Sequence, residues 1–286
     1  DSTADSLAGR IALYSMPTVC FGESAGRSTH HLFNEKLDYK SFKEAQRLLT
    51  DAIRFGQFPE VLTSQDRSAK KELLTNYRNS YFTRDLMQLS NIEHLEALMA
   101  IFHHLKRSIG STLEVSNFAR EAGISHPTTK KYLNSLAQSQ LSFKLLGYQY
   151  GPAKRYVKAA KTYFADNGII ESFNVQISEG QLVENFVISE LEKRRKLNMI
   201  KADQLYYYKS TGGREIDVVF ESEGVLHAIE IKATKSLASK YIRNLKEFAK
   251  NLDRPHRLVL FYLGDEYAVE DGVEIIPIAS LYKSFV

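Results

Sequence analysis

The sequence predicts an α/β protein with a helical N-terminal region, a winged helix-turn-helix and a C-terminal mixed sheet flanked by helices. Three observations carry this expectation. Residues 214–220 and 227–233 alternate apolar and polar positions at the strand period on either side of Glu223-Gly224. Two short helical runs, Val115 to Glu121 and Thr128 to Leu136, flank a Gly-bearing turn and are followed by a strand-like run from Leu141. Upstream of residue 96 the patterned segments are helical in type.

The elements divide the 286 residues into three pieces, 1–95, 96–150 and 151–286. In the first, Lys43-Glu44-Ala45-Gln46-Arg47 leads into Leu48-Leu49 and reads as helix. Gly56 and Pro59 mark a loop, and Lys70 to Leu89 is amphipathic through Leu73, Leu74, Tyr77, Tyr81 and Leu86. Asp1 to Asp5 does not resemble a signal peptide and lacks an initiator Met. It reads as a chain begun partway through a larger protein, or as the product of processing or tag removal.

In the second piece Leu98 to Lys106 is expected to be helical. Ser125 is placed to cap the next helix, with Pro127 in its first turn, where a missing N–H does little harm. That helix would present His126, Thr128, Thr129 and Lys130 outward, residue types suited to phosphate and base-edge contacts. The third piece reads as one α/β unit. A helix from Gln181 to Leu191 precedes a strand at Leu205 to Tyr208 and the two alternating runs. A helix from Lys240 to Leu252, a strand from Arg257 to Tyr262 and a strand ending at Pro277 follow.

At 43% hydrophobic residues the chain can bury more than one core. Its net charge of +4 hides an uneven distribution. From Ala122 to Ala165 there is no Asp or Glu, while Lys130, Lys131, Lys144, Lys154, Arg155, Lys158 and Lys161 fall inside that stretch. A basic face of this kind points to nucleic acid, with DNA the expected partner. Cys20 stands alone, which rules out an intrachain disulfide and agrees with a cytoplasmic location. No apolar run approaches the roughly 18 residues of a membrane span.

The chemistry-bearing residues are Asp217 in the first alternating run and Glu230-Ile231-Lys232 in the second. Hairpin pairing would set Asp217 beside Glu230, with Lys232 on the Glu230 face. Ile216, Val218 and Phe220 would line the opposite face from Asp217. Two close carboxylates repel unless a cation joins them, and Mg2+ or Mn2+ accepts such oxygen ligands. Asp217 and Glu230 would hold the metal, the Ile231 carbonyl would be a third ligand, and Lys232 would orient water or offset phosphorane charge. Glu184, on the preceding helix, would add a fourth anchor. An acid-x-Lys pair in a strand is also an ordinary structural motif, and Lys232 would then be only a salt-bridge partner of Glu230.

Other features carry less. His103-His104 lacks companions at zinc spacing. Lys161 and Asp166, flanking Tyr163-Phe164, are candidates for an interdomain ion pair. Gly212-Gly213 reads as a turn, and Arg214 sits at the strand entrance or touches substrate. No phosphate-binding Gly-x-x-x-x-Gly-Lys-Ser/Thr motif occurs, and Cys20 has no neighbouring base.

Taken together, Ser6-Leu7-Ala8-Gly9-Arg10, Gly56-Gln57-Phe58-Pro59-Glu60, Tyr81-Phe82-Thr83-Arg84-Asp85, Gly123-Ile124-Ser125, Tyr163 to Gly168, Glu184-Asn185-Phe186-Val187 and the Asp217 to Lys232 block form a recognisable pattern. It resembles, over nearly the whole chain, the C-terminal part of prokaryotic AAA-type ATPases with a DUF4143 domain. The last block also resembles the PD-(D/E)xK restriction-nuclease fold, whose carboxylates and lysine fall on Asp217, Glu230 and Lys232. The resemblance implies an ATPase core upstream, followed by a helical lid, the winged helix and a restriction-endonuclease-like domain, and an oligomer built through the ATPase core. The expectation is a DNA-binding protein with a Mg2+-dependent phosphodiester-cleaving domain. The alternative is a non-catalytic nucleic-acid-binding or protein-interaction module of such an ATPase.

Overall fold

The computed structural model describes residues 14–26, 36–81, 92, 94–148, 159–174, 176–250 and 252–282. Its N-terminal half is helical. Helix α1 (Tyr39–Phe55) starts at Asp38, whose carboxylate accepts from Ser41 N–H at 3.0 Å. It buries Phe42, Ala45, Leu49 and Ala52, one stripe at helical spacing. A short helix α2 (Pro59–Thr63) has Pro in its first turn, and α3 (Arg67–Ser80) is capped by Asp66. The expected continuation of α3 to Leu89 lies outside the described residues beyond Tyr81.

Helix α4 (Leu95–Arg107) is followed by the helix pair α5 (Val115–Ala122) and α6 (His126–Gln138). Gly123 closes α5 at φ 64°, a left-handed conformation that favours glycine. Ser125 caps α6 as expected, its hydroxyl accepting from Thr128 N–H, with Pro127 in the first turn. The strand that follows, β1 (Ser142–Gly147), pairs antiparallel with β2 (Lys161–Phe164). It also pairs in parallel with β3 (Tyr206–Lys209). The run expected to begin a wing is thus part of the main sheet.

Between β2 and β3 lie α7 (Asn167–Ser172) and α8 (Glu179–Lys196). A capping box between Ser178 and Gln181 starts α8. Then come β4 (Glu215–Ser222), β5 (Val225–Lys232), helix α9 (Arg243–Ala249), β6 (His256–Tyr262), β7 (Ala268–Glu270) and β8 (Val273–Pro277). A 3-10 turn at Ser239–Tyr241 replaces the first residues of the longer helix expected from Lys240. Among the described residues the sheet order is β2-β1-β3-β4-β5-β6-β8-β7. β5, β6 and β8 are mutually parallel neighbours, and β3, β4 and β5 are antiparallel. This is the mixed sheet expected.

The β4–β5 turn has Glu223 at φ 51° and Gly224 at φ 80°. Two successive left-handed residues in a two-residue loop match the right-handed twist of the strands they join. One apolar core runs from Phe21 and α1 through α4 and α8 to one face of the sheet, including Val218, Phe220, Ile229 and Ile231. A second covers the other face with Leu245 and Phe248 of α9 against Ile216, Val219, Leu226, Ala228 and Leu258. Ile216 therefore does not share a face with Val218 and Phe220, as simple alternation predicts. The register between β3 and β4 shifts between Tyr206↔Val219 and Tyr208↔Ile216, which leaves an extra residue in β4 around Asp217 and turns Ile216 over.

Asp166 ties the helical half to the sheet. Its carboxylate accepts from Thr18 hydroxyl at 2.7 Å, Gln57 N–H at 3.0 Å and Gly168 N–H at 2.7 Å. Its cationic partner is Lys193 at 3.3 Å, not Lys161 as the sequence suggested. Lys161 is committed elsewhere, to Glu215. Gly56 lies so close to Asp166 that a Cβ there would fall 1.7 Å from Asp166 Oδ1. Among the described residues no helix is long and apolar enough to cross a membrane.

Candidate functional site

The β4–β5 register pairs Val218 with Ile229, so one step further sets Asp217 opposite Glu230. The ladder opens there. Asp217 Oδ2 accepts the Ile231 N–H at 2.8 Å, a side chain standing in for a strand partner. The bulge in β4 re-aims Asp217 at this point, a role bulges often fill. Glu230 is buried, 4% exposed, between Ile229 and Ile231 of the core. Lys232, two residues along the strand and half-buried, bonds Glu230 Oε1 at 2.5 Å. The three residues singled out in sequence are thus brought together.

Glu184 reaches the same region from α8. Its Oε1 accepts the Tyr163 hydroxyl at 2.7 Å, and the loop at Gly110 packs over its carboxylate. A Cβ on Gly110 would meet Glu184 Oε2 at 2.8 Å, and Gly110 also has φ +79°. Two further residues were not foreseen. Lys161 of β2, 1% exposed, forms an ion pair with Glu215 and lies within electrostatic reach of Asp217 and Glu184. Lys209 approaches Glu215 at 3.5 Å from the solvent side.

Four carboxylates, Glu184, Glu215, Asp217 and Glu230, therefore face two inner ammonium groups, Lys161 and Lys232. The surplus of negative charge in a partly dry site raises the acids. Burial first, then the charge of Asp217, pushes Glu230 up to about 8. The same two causes push Glu184 up to about 7. Burial also raises Asp217, against the pull of Lys232, Lys161 and the Ile231 N–H. The Lys161 and Lys232 ammoniums are held above their usual range because the neighbouring carboxylates outweigh burial.

Glu230 Oε2 is buried and has no hydrogen-bond partner among the described residues. An orphaned carboxylate oxygen beside excess negative charge suits a cation. Among the described residues, however, no group of three or more His, Cys, Asp or Glu side chains is arranged to hold a metal. A hard divalent ion on Asp217 and Glu230 would complete its shell with water and backbone oxygen.

The helix pair forms a second candidate surface. His126, Lys130 and Lys131 are exposed on the first turns of α6, and Thr128 is half-buried. Thr129 is fully buried, its hydroxyl donating to Ser125 carbonyl at 2.9 Å, so it leaves the surface predicted for it. Helical period alone accounts for this, since Thr129 falls on the same side as Tyr132, Leu133 and Leu136. Lys154 and Arg155 lie outside the described residues. Arg214 is at the strand entrance and pairs with Glu247 at 3.3 Å.

Residues 179–281, which hold the whole β3–β8 sheet and Glu184, match the model of DUF4143, a domain of unknown function. The chain carries a DUF4143 domain. Residues 46–178 match a different model, DUF8612, also a domain of unknown function. The DUF4143 resemblance, read from sequence over nearly the whole chain, thus falls on its C-terminal part.

An uncharacterized protein of Methanocaldococcus jannaschii is 24% identical over 263 residues, covering 88% of this chain and 58% of the relative. Uncharacterized proteins of Mycobacterium bovis and Mycobacterium tuberculosis are each 21% identical over 232 residues, covering 78% of this chain and 51% of the relative. The chain spans about half the length of the curated relatives it matches. The acid–lysine cluster lies mostly inside the DUF4143 domain, while Lys161 and Tyr163 enter it from the DUF8612 segment.

Proposed function

We propose that this chain is a nucleic-acid-binding module of a larger protein. In this reading α5 and α6 act as the helix-turn-helix of a winged domain whose wing strand, β1, is built into the main sheet. The observation that supports it is the start of α6, where His126, Lys130 and Lys131 are exposed within a stretch that has no Asp or Glu from Ala122 to Ala165. A helix N-terminus carries partial positive charge, and lysines beside it add to the attraction for phosphate. The larger protein would be an AAA-type ATPase, oligomeric through its ATPase core, as the sequence resemblance implies.

Fluorescence polarisation with a labelled DNA duplex over a range of salt tests this. The logarithm of affinity should fall linearly with the logarithm of salt concentration. The double variant Lys130→Ala/Lys131→Ala should lower the slope by about 2, near 0.9 for each lost phosphate contact. No measurable affinity at low salt removes the reading and leaves the protein-interaction alternative.

A second reading, Mg2+-dependent phosphodiester cleavage, is favoured by the meeting of Asp217, Glu230 and Lys232 and by the orphaned Glu230 Oε2. In this second reading the cluster would serve as a PD-(D/E)xK nuclease-like site, with Glu184 on the preceding helix. Bound Mg2+ would supply Lewis acidity and a more acidic water. Asp217 and Glu230 would hold it, and Lys232 would face the developing phosphorane charge. Plasmid nicking in magnesium or manganese, abolished by Asp217→Asn and by Lys232→Met, is the expected result. Intact plasmid under conditions where the chain binds DNA assigns the cluster a structural role.

A further inference from the structure

Away from the acid–lysine cluster, a cavity of about 650 Å³ opens between residues 14–18, the end of α3, the turn from α6 to β1, and α8. That volume lies within the roughly 300–1,000 Å³ usual for small-molecule sites. One wall is aromatic. Phe58 and Tyr77 have ring centroids 4.6 Å apart, and Tyr77 and Tyr81 stack at 5.5 Å with planes 5° apart. The Tyr81 hydroxyl donates to Ser139 carbonyl at 3.2 Å, which fixes the ring against the α6–β1 turn.

Another part of the lining comes from α8. There Lys193 is saturated by Glu190, Asp166 and the Val19 carbonyl. Glu192 is gripped by Arg195 through two bonds of 2.7 Å. Lys196 is different. It is half-buried, lines the cavity and forms no ion pair among the described residues. Burial pulls its ammonium below the usual lysine range, a cost an arriving anion would relieve. Tyr14 and Met16 also line the cavity and are each 90% exposed.

We propose that this cavity binds a nucleotide unit, with the base against the Phe58–Tyr77 wall and the phosphate on Lys196. Every base has a π face, so an aromatic wall accepts any of them, and the amine supplies the counter-charge. Two sources share this chemistry, a free mononucleotide and an unpaired residue of a nucleic-acid strand. The strand-borne case rests on the nucleic-acid-binding reading above, and the free-nucleotide case does not.

Isothermal titration calorimetry of the 286-residue chain with deoxyadenosine 5′-monophosphate, and separately with a 5′-phosphorylated pentadeoxyadenylate, tests the proposal. Saturable binding of the mononucleotide identifies the free source. Binding of the oligonucleotide alone identifies the strand. In either case Lys196→Ala, at a half-buried side chain whose loss leaves no acid unpaired, should weaken binding at least about tenfold. Tyr77→Leu should do likewise, about tenfold or more, with its fold checked by circular dichroism. Lys130→Ala/Lys131→Ala should leave mononucleotide binding unchanged. Mononucleotide binding in a chain that fails to bind duplex DNA upholds this site and removes the α6 reading. No saturable heat from either probe at millimolar concentration, or binding indifferent to Lys196→Ala, overturns the proposal.

Discussion

Replacing Glu230 with Gln should leave stability unchanged at acid pH and raise it progressively as pH climbs from 4.5 to about 8. Glu230 is 4% exposed and its carboxyl is pushed from 4.5 to about 8. Below about pH 4 the acid is neutral in both folded and unfolded chains and the substitution changes little. As pH rises from 4.5 towards 8 the unfolded chain releases its proton first, so stability falls across that window. At about 1.4 kcal/mol per pH unit, that interval corresponds to roughly 4–5 kcal/mol. An ionised pocket relaxes and admits water, so the gain from Glu230→Gln at about pH 9 is expected between 2 and 5 kcal/mol. Urea unfolding followed by circular dichroism at the two pH values measures it. Magnesium should also raise the urea midpoint of the wild type near pH 8 and not that of the variant. An equal effect at both pH values, or destabilisation at alkaline pH, would refute the claim that a crowded, partly dry site holds this proton.

Lys161→Met should cost about 3–5 kcal/mol at neutral pH, because it strips the buried cation from Glu215 and its acidic neighbours. A urea midpoint within error of wild type would show that the carboxylates do not depend on it. Gly110→Ala should cost about 1–2 kcal/mol in backbone strain at φ +79°, and more if Glu184 cannot move from the new Cβ. Its readout is thermal unfolding, together with a lowered Glu184 pKa in NMR titration if the carboxylate is displaced towards solvent.

Local rules made much of this protein legible. Ser125 and Pro127 start α6, Glu223-Gly224 closes the hairpin, and the Asp217–Glu230 juxtaposition follows from the register that turn sets. What escaped depends on long-range geometry. Lys161 is 56 residues before Asp217 in the chain, and no periodicity links a β2 lysine to a β4 acid. The β4 bulge breaks the alternation that placed Ile216 with Val218, because β3 pairing rather than β4 composition creates it. The chemistry of Thr129 suits a surface contact, whereas its helical phase decides that it is buried. Nearness in sequence points Asp166 to Lys161, while the folded chain gives it Lys193 of α8. β1, which follows the helix pair in the chain, pairs with β3 of the C-terminal sheet, a long-range contact that local pattern does not reveal.

That crossing strand has a mechanical consequence. Only three residues separate the end of α6 from β1, and β1 is stitched on one side to β2 and on the other to β3. A load applied to α6 meets no slack before it reaches the strands. β2 carries Lys161 and β3 adjoins β4, so both routes lead to the acids. Tilting the helix pair would therefore strain the strands that carry Lys161 and Asp217 before any loop could absorb the motion.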